Sequence, residues 1–519
     1  MSPEKGTIEY VQPSEEPDLR FRDSVEKPRF EDPDSVSTAE LSTTDSFPDI
    51  DRKKLLRKLD LRLLPIFTIL YLLSFLDRGN IGNAKIEGLA EDLNLEGNQY
   101  NLCLTIFFIF YAAMEIPSNM ILKRWKPNIF VPLTVVLFGA VAACMGTVNN
   151  YSQLMATRAL LGVFEAALFP GISYILSMYY KKTELLVRQA VFFSAGSIAG
   201  AFSGLLAAGI SQMDGVGGYE GWRWIFILEG IFTFLFGILS FWWFPRYPKN
   251  AAFLTERERE FVQWNVHNST NDVKTHPNAP KGEDTSSDRK FLWAVFKDPN
   301  CWFRLFSHMG ILLPLYGISL FTPTIIRNLG YTATTAQLLS VPIYVLAAIL
   351  SVVEAFLSDW TGLRTPFLVF NYICMIVGFV VCISLDPRVN PQGIYVGIYI
   401  CAIGLYPATS VSIVWNSNNL AGTYKRAIGI GFQIGLGNFS GAFVSNFYRD
   451  QDSPRYVMGH GLTLGFVGLG AVALSCGILN LRWSNAKKKR AIESGEFDGM
   501  TDEELLKMGD KNPYFVYRL

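Results

Sequence analysis

Twelve apolar windows, each about 20 residues long, recur along the chain and alternate with polar segments. Crossing the roughly 30 Å hydrocarbon layer of a bilayer takes about 20 residues of α-helix. Because lipid offers no partner to backbone N–H and C=O groups, windows of this kind are expected to be helices. The sequence therefore predicts an all-α polytopic membrane protein. We number its predicted spans 1 to 12 in chain order, near 61–81, 99–121, 129–148, 152–178, 189–211, 222–244, 301–322, 334–358, 365–384, 394–417, 427–447 and 461–483.

The twelve windows fall into two groups of six, separated by a polar stretch that includes TERERE and KGEDTSSDRK. This spacing predicts two six-helix halves joined by a loop. Before span 1 the chain is rich in Ser, Pro, Asp and Glu, a composition typical of disordered tails. The predicted organisation is a disordered cytosolic amino-terminal tail at 1–55, a six-helix half at 56–244, a cytosolic central loop at 245–300, a second six-helix half at 301–484 and a cytosolic carboxyl-terminal tail at 485–519.

The composition argues against several other classes of protein. Only 18% of the residues are charged, whereas a soluble domain carries about 25%. The formal net charge is zero, so no nucleic-acid partner is expected. The seven cysteines form no CxxC pair and lie in or beside apolar windows, so we expect neither a disulfide framework nor a metal site. No HExxH, GxSxG or Walker motif appears, and we predict that the protein is not an enzyme.

Lysine and arginine are distributed unevenly between the two sides that the spans define. Basic clusters precede span 1 (DRKKLLRKLDLR) and follow spans 2, 4, 10 and 12 (LKRWKP, KKTELLVR, TYKR and NAKKKR), whereas the loop after span 3 has none. Positive residues mark the cytosolic loops of membrane proteins. We therefore predict that both termini are cytosolic, and we expect a monomeric multi-pass protein of the plasma membrane.

Four charged residues lie within spans 1 and 4, where each charge costs at least ~2.5–3.5 kcal/mol. Asp77 and Arg78 are adjacent on span 1, and Arg158 and Glu165 lie two turns apart on one face of span 4. An arginine keeps its charge and needs an anion nearby, whereas a glutamate can bind a proton. Such a set suits the capture of an organic anion beside titratable groups. A helix-end ion pair or a purely structural network is the alternative.

The other ionisable residues of the spans give weaker signals. Glu115 and Glu229 are interpreted as packing contacts, and Glu354 is grouped with the loop sequence that follows span 8. His308 stands alone on span 7, where a histidine is most often a packing residue. Because imidazole titrates near neutral pH, we still include His308 in the candidate site.

The six-plus-six pattern resembles the major facilitator superfamily. The sequence LSDWTGLR after span 8 resembles that family's loop signature D-x-x-G-x-R through Asp359, Gly362 and Arg364. The corresponding loop after span 2, PSNMILKRWKP, keeps only the basic residues, so the acidic member is missing in the first half. The resemblance implies two half-bundles that rock about a site near the membrane midplane.

Three stretches resemble the anion:cation symporter family within that superfamily, and its fungal allantoate permease branch in particular. They are SFLDRGNIGNAKIEGL, RALLGVFEAALFPGISYILSMYY and WNSNNLAGTYKRA, and the likeness covers about residues 62–483. This resemblance implies proton coupling through Asp77 and Glu165. It also implies that Arg78 contacts a substrate carboxylate and that Arg158 supports the site. The implied function is proton-driven import of a small organic anion by alternating access, with protons as the coupling ion and no other cofactor.

The substrate is not fixed by this resemblance, because family members take up nicotinate, pantothenate, biotin, allantoate and other small carboxylates. Aromatic and amide residues of the second half would suit a flat ring, which favours a nicotinate-like monocarboxylate. The expected partners are this small molecule and the lipid bilayer. The further candidate substrate contacts are Tyr111, His308, Tyr316, Tyr406 and Asn416.

Two alternatives to import remain. Proton antiporters that export drugs or secondary metabolites carry G-x-x-x-G-P-x-x-G-G on span 5. Here Gly196, Gly200 and Gly204 fit, but Ala201 and Leu205 replace the proline and the last glycine. The partial match favours import, and the same glycines predict tight packing of span 5 against a neighbour. A nutrient sensor built on a transporter fold usually has a long structured tail, whereas the tail here is only about 35 residues.

Overall fold

The computed structural model describes residues 47–269, 288–421, 423–497, 499–501, 504–505 and 508–519. Most of the predicted disordered tail and the middle of the predicted central loop lie outside these residues. The described part consists of helices and their connections, with no strand among its residues. This confirms the predicted all-α class.

Every predicted span coincides with helix. Within the described residues, ten helical stretches are long and apolar enough to cross a membrane; the helices of spans 2 and 11 are not among these ten, and span 11 contains a shorter apolar helix, Ile428–Val444. In chain order the spans are Arg52–Ile86, Gln99–Arg124, Pro127–Met145, Tyr151–Tyr179, Lys182–Ile210, Gly221–Trp243, Pro299–Arg327, Ala333–Thr361, Thr365–Ser384, Pro391–Asn418, Thr423–Val444 and Val457–Glu493.

Span 4 is interrupted at the level of Glu165. Its first helix, Tyr151–Glu165, ends there, and its second, Leu168–Tyr179, begins three residues later. The sequence explains the interruption, because Pro170 has no N–H to donate to the carbonyl of Ala166, four residues before it. Glu165 therefore lies at a helix end and not within a continuous helix.

Glycines allow the spans to approach one another closely. A Cβ atom added at Gly230 of span 6 would lie 2.2 Å from the backbone nitrogen of Ala143 on span 3. On span 5, a Cβ at Gly200 would lie 2.7 Å from the ring of Tyr344 on span 8. Gly200 and Gly204 of span 5 thus contact the second half of the bundle, whereas Gly196 faces Phe75 of span 1, and this close packing fits the small-residue packing predicted from the sequence.

The bundle has two ends, which we name by what they carry. The terminal face is the end where span 1 begins and span 12 ends, and the loop face is the opposite end. At the loop face the halves meet main chain to main chain, because a Cβ at Gly82 of span 1 would lie only 2.5 Å from the carbonyl oxygen of Leu320 on span 7. No side chain fits between the halves at this point.

Polar contacts reinforce the loop face. Lys85 Nζ at the end of span 1 lies 2.6 Å from Asp450 Oδ1, which follows span 11. The Nδ2 of Asn98 donates to Oδ1 of Asn446 at 3.2 Å, again across the halves. Gln337 of span 8 donates to Glu87 at 2.9 Å. These contacts close the loop face.

At the terminal face the loop after span 8 is held by its own signature residues. Gly362 ends span 8 in the left-handed conformation, with φ of +68°, which favours glycine. The Arg364 guanidinium bonds to the Asp359 carboxylate, and its Nη1 donates to Ser358 Oγ at 2.6 Å. The backbone N–H of Arg364 also donates to the carbonyl of Leu519, at 3.2 Å.

A buried cluster of charges joins the start of span 7, the start of span 11 and the carboxyl-terminal segment. Lys425 Nζ lies 2.8 Å from Asp298 Oδ2 and 2.7 Å from Asp510 Oδ2. We call these three residues the terminal-face cluster. Beyond it, Arg518 exchanges backbone hydrogen bonds with the side chain of Asn419 at 2.8 and 2.9 Å. The segment that the sequence marks only as a short tail thus packs against the second half.

Candidate functional site

A cavity lies between the two halves. Its walls come from spans 1, 2, 4 and 5 of the first half and spans 7, 8, 10 and 11 of the second. The lining residues lie near the middle of most of these spans, and those of spans 4, 8 and 10 lie towards the terminal face. Most of them are aromatic, aliphatic or small and polar, and the aromatic ones are Tyr71, Phe75, Tyr111, Phe169, Phe193, Tyr316 and Tyr406.

Arg78 carries the charge of this cavity. Among the described residues that line the wall, it is the only lysine, arginine, aspartate or glutamate. Its guanidinium lies over the rings of Tyr111 and Phe75, 4.5 and 4.9 Å from their centroids. Aromatic faces attract cations and replace part of the lost hydration. The cavity therefore presents a fixed positive charge to whatever enters it.

Glu165 forms an ion pair with Arg78. Arg78 Nε donates to Glu165 Oε1 at 2.5 Å, which joins spans 1 and 4. The second oxygen, Oε2, is buried and has no hydrogen-bond partner in the described part of the chain. An ionised carboxylate normally fills both oxygens when it is buried. The Ser74 hydroxyl is another side-chain group that acts on this carboxyl group, and Oε2 is the atom on which a proton would reside.

Arg158 lies behind the cavity and does not line it. It is 1% exposed, and its guanidinium lies 4.8 Å from the centre of the Phe107 ring. The same ring lies 5.5 Å from the Arg78 guanidinium. Arg158 Nη1 is buried without a hydrogen-bond partner among the residues described. Phe107 thus separates two cations that share one acidic neighbour, Glu165.

Asp77 and Arg78 point in different directions. Successive residues of a helix are rotated by about 100°, so a neighbour of the cavity-lining arginine faces another part of the bundle. Asp77 is 3% exposed, does not line the cavity, and lies beside Glu229 and Thr233 of span 6. The two residues that look like one pair in the sequence therefore belong to two different surroundings.

The second half contributes His308, Tyr316 and Tyr406 to the wall. His308 Nδ1 lies 3.3 Å from Ser412 Oγ, and the Tyr316 hydroxyl donates to Asn438 Oδ1 at 2.7 Å. His308 and Tyr316 are thus each held by a neighbouring side chain. Asn416 does not reach the cavity, because its side chain bonds to Arg304 and Gln433.

The structure adds to the site two residues that the sequence analysis did not place there. Asn438 of span 11 lines the cavity, and its Nδ2 donates to Glu115 Oε2 of span 2 at 3.2 Å. Glu115, interpreted from the sequence as a packing residue, is therefore one end of a chain that crosses the halves and reaches the cavity through Tyr316. An amide within the apolar window of span 11 was the available signal.

Comparison with known proteins agrees with this architecture. The family model described as Major Facilitator Superfamily matches residues 67–445. The high-affinity nicotinic acid transporter of Saccharomyces cerevisiae is 32% identical over 471 residues, which cover 90% of this chain and 84% of that protein. The major facilitator-type transporter hxnP of Emericella nidulans is 31% identical over 475 residues, covering 90% of this chain and 93% of that protein.

Solved structures show the same fold. A bacterial homologue of the human lysosomal transporter Spinster, in an inward-facing and occupied conformation, matches with a TM-score of 0.60. The match covers 81% of this chain and 96% of that chain at 15% sequence identity. At this identity the likeness concerns the arrangement of the helices alone.

Proposed function

Since the chain belongs to the major facilitator superfamily and is a multi-pass membrane transporter, we propose that it imports a small organic anion together with protons. The observation that carries this proposal is the position of Arg78. It is the charged residue of the described cavity wall, and its guanidinium is shared with a carboxyl group that has a free oxygen. Cation and proton acceptor therefore meet at the place where a substrate would bind.

Competition for Arg78 would couple the proton to the anion. A substrate carboxylate in the cavity needs the guanidinium that Glu165 now occupies, since both prefer a charge-assisted hydrogen bond to arginine. Protonation of Glu165 removes its charge and leaves the guanidinium to the substrate. Loss of that proton restores the ion pair and weakens the hold on the substrate. Anion and proton would then be bound and released together.

The orientation follows from the basic loops. We place the terminal face in the cytosol, because Lys and Arg cluster in the segments at that end. The structure then corresponds to an inward-facing state, with a sealed loop face and a cavity on the cytosolic side. If two protons accompany a monovalent anion, one net positive charge moves inward, and the membrane potential contributes ~2.3 kcal/mol per 100 mV. Residence in the plasma membrane as a monomer completes the proposal.

A nicotinate-like monocarboxylate is the substrate class we propose. Its flat ring suits a cavity whose walls include seven tyrosine and phenylalanine rings, and its carboxylate suits Arg78. The similarity to the yeast nicotinic acid transporter supports the same class. Pantothenate, biotin and allantoate are larger or more polar and serve as comparison substrates.

The test is uptake of labelled nicotinate by cells that lack their own uptake system and express this protein. We expect accumulation that is stimulated by acid outside, inhibited by excess unlabelled nicotinate and abolished by a protonophore. Undiminished accumulation with only a sodium gradient left would overturn the proton assignment. Faster loss of preloaded substrate from expressing cells than from control cells would instead indicate an exporter.

A further inference from the structure

A second pair of buried acids, on spans 1 and 6, lies outside the lining of the cavity. Asp77 of span 1 and Glu229 of span 6 are 3% and 7% exposed. The charged groups that act on Asp77 are Glu229, Glu165 and Arg158, and the Thr233 hydroxyl of span 6 faces it. Arg78, the next residue, is turned away to the cavity and bonded to Glu165.

Each acid of this pair keeps an unused oxygen. Asp77 Oδ2 and Glu229 Oε1 are buried and, over the described ranges, find no hydrogen-bond partner. Two neighbouring carboxylates in a medium of low dielectric constant repel each other strongly, so we expect the pair to bind a proton. Such a pair takes up and releases protons as a unit and not as two independent groups. The unused oxygens are the atoms on which that proton would reside.

Polar side chains lead from this pair towards the loop face. Asn80 Nδ2 donates to Glu229 Oε2 at 2.9 Å, and the Ser203 hydroxyl donates to Asn80 Oδ1 at 3.3 Å. Asn83 Nδ2, one turn further along span 1, donates to the same hydroxyl at 2.7 Å. The Asn83 Oδ1 atom is again buried without a partner among described residues. Spans 1, 5 and 6 are thus joined by polar groups that a water molecule can bridge.

The polar groups end at a second, smaller cavity between the halves. Asn83 and Ser203 line it from the first half, and Ser319 and Ser340 line it from the second. Polar walls of this kind hold water, whereas apolar cavities stay dry. The second cavity lies closer to the loop face than Arg78 does, because Asn83 comes after Arg78 as span 1 runs towards that face.

We propose that Glu229 is a third proton-binding carboxyl of this transporter, which loads Asp77 with protons through the second cavity rather than through the substrate cavity. The inference rests on the proposed function, since it concerns the coupling of the same site. It separates the route of the proton from that of the anion. The proton passes between the free oxygens of Glu229 and Asp77, and water from the second cavity carries it to and from Glu229, because the amides of Asn80 and Asn83 can hold water but do not themselves relay a proton.

Glu354 provides a matched control. It is also a buried glutamate within a span, 8% exposed, and it accepts a hydrogen bond from an asparagine, Asn371, at 2.7 Å. Glu229 is bonded to Asn80 in the same manner. The two differ in their neighbours, because Glu229 acts on a second carboxyl group, whereas Glu354 has Asn371 and the thiol of Cys374 beside it.

The experiment uses purified protein in proteoliposomes with labelled nicotinate. Two activities are measured: accumulation driven by a pH gradient, and exchange with equal pH and equal substrate on both sides. Exchange needs no net movement of protons, so it reports an intact carrier. We expect Glu229→Gln to lose at least tenfold in accumulation and to keep exchange within twofold. Glu354→Gln should keep both activities.

The outcomes separate this inference from the function on which it rests. Absence of both activities in the wild-type protein, with nicotinate and with the comparison carboxylates, would contradict the proposed function. Wild-type activity together with normal accumulation in Glu229→Gln would overturn the inference alone. Loss of exchange as well in Glu229→Gln would also overturn it, because Glu229 would then be part of the packing. An equal loss of accumulation in Glu354→Gln would show that replacing any buried glutamate lowers accumulation, and would also overturn the inference.

Discussion

Arg78 and Glu165 share one hydrogen bond of 2.5 Å, from Nε of the arginine to Oε1 of the glutamate. The bond uses only part of the guanidinium, whose planar fork carries five N–H donors. It also uses only one oxygen of the carboxyl. This incomplete ion pair differs from a structural one, because each partner keeps capacity for a third species. Two predictions test it.

The first prediction concerns the planar guanidinium group of Arg78. In Arg78→Lys the positive charge remains, but two parallel hydrogen bonds to a carboxylate are no longer possible. We expect the apparent affinity for substrate to fall at least tenfold, or ~1.4 kcal/mol, while the amount of protein at the membrane is unchanged. Uptake measured over a range of concentrations, with surface labelling as the control, gives both values. Equal affinity in the variant would reduce Arg78 to a helix anchor.

The second prediction separates the acid from the cation. Glu165→Gln resembles the protonated carboxyl in shape, so the loaded carrier should still reorient and exchange labelled substrate. Accumulation against a gradient should be lost, because the site no longer releases a proton on the inner side. Arg78→Ala should lose both activities, since it leaves a buried acid and a bound anion without a cation. Full accumulation by Glu165→Gln would mean that the glutamate is structural.

The third prediction concerns the loop face, where Asn98 and Asn446 bond across the halves at 3.2 Å. Replacing both with cysteine, after alanine has replaced the exposed Cys144 and Cys476, should allow a crosslink that holds this face closed. We expect oxidation to lower transport at least tenfold, and a reducing agent to restore it. Each single cysteine variant is the control. Normal transport by the crosslinked protein would contradict alternating access at this face.

The fourth prediction concerns pH and the terminal-face cluster. Burial alone would raise the pKa of Asp298, but the ion pair with Lys425 outweighs burial and holds the pKa below its ordinary value. A depressed pKa in the folded state stabilises the protein above the unfolded value of about 3.9, and the benefit is lost as pH falls through the folded value. Asp298→Asn should therefore lower stability at pH 7, by about 1.5–3 kcal/mol.

Thermal unfolding in detergent at pH 7 and at progressively lower pH checks this prediction. The difference in midpoint between the wild-type protein and Asp298→Asn should shrink as the solution is acidified below about pH 4. Asp359→Asn is a useful comparison, because its partner Arg364 lies in the neighbouring loop and its own side chain is far more exposed. A difference that is constant over the whole pH range would contradict the electrostatic explanation.

The spans were predictable because lipid imposes a length and a composition on every helix that crosses it. Even the interruption after Glu165 is readable in the sequence, in the position of Pro170. The direction in which a side chain points was harder to predict. Asp77 and Arg78 are adjacent, and only the packing of span 1 against span 6 shows that one faces the cavity and the other does not.

Contacts between the halves were the least predictable part of the site. Asn438 and Glu115 are 323 residues apart in the sequence, and neither window contains a pattern that predicts their contact. Asn416 illustrates the opposite case. An amide near the end of span 10 looked suitable for substrate, yet its side chain is engaged by Arg304 and Gln433. The local sequence shows which functional groups are present, and tertiary packing determines which of them line the cavity.

The contact between Gly82 and Leu320 has a consequence for controlling the protein in the laboratory. It joins two main chains and carries no net charge, so acid, salt and voltage do not act on it as they act on the Lys85–Asp450 pair. A single methyl group in Gly82→Ala would lie 2.5 Å from a carbonyl oxygen and force the halves apart at that end. The variant would thus favour the state in which the loop face is open, whatever the buffer. It is therefore a starting point for antibodies that recognise only that state.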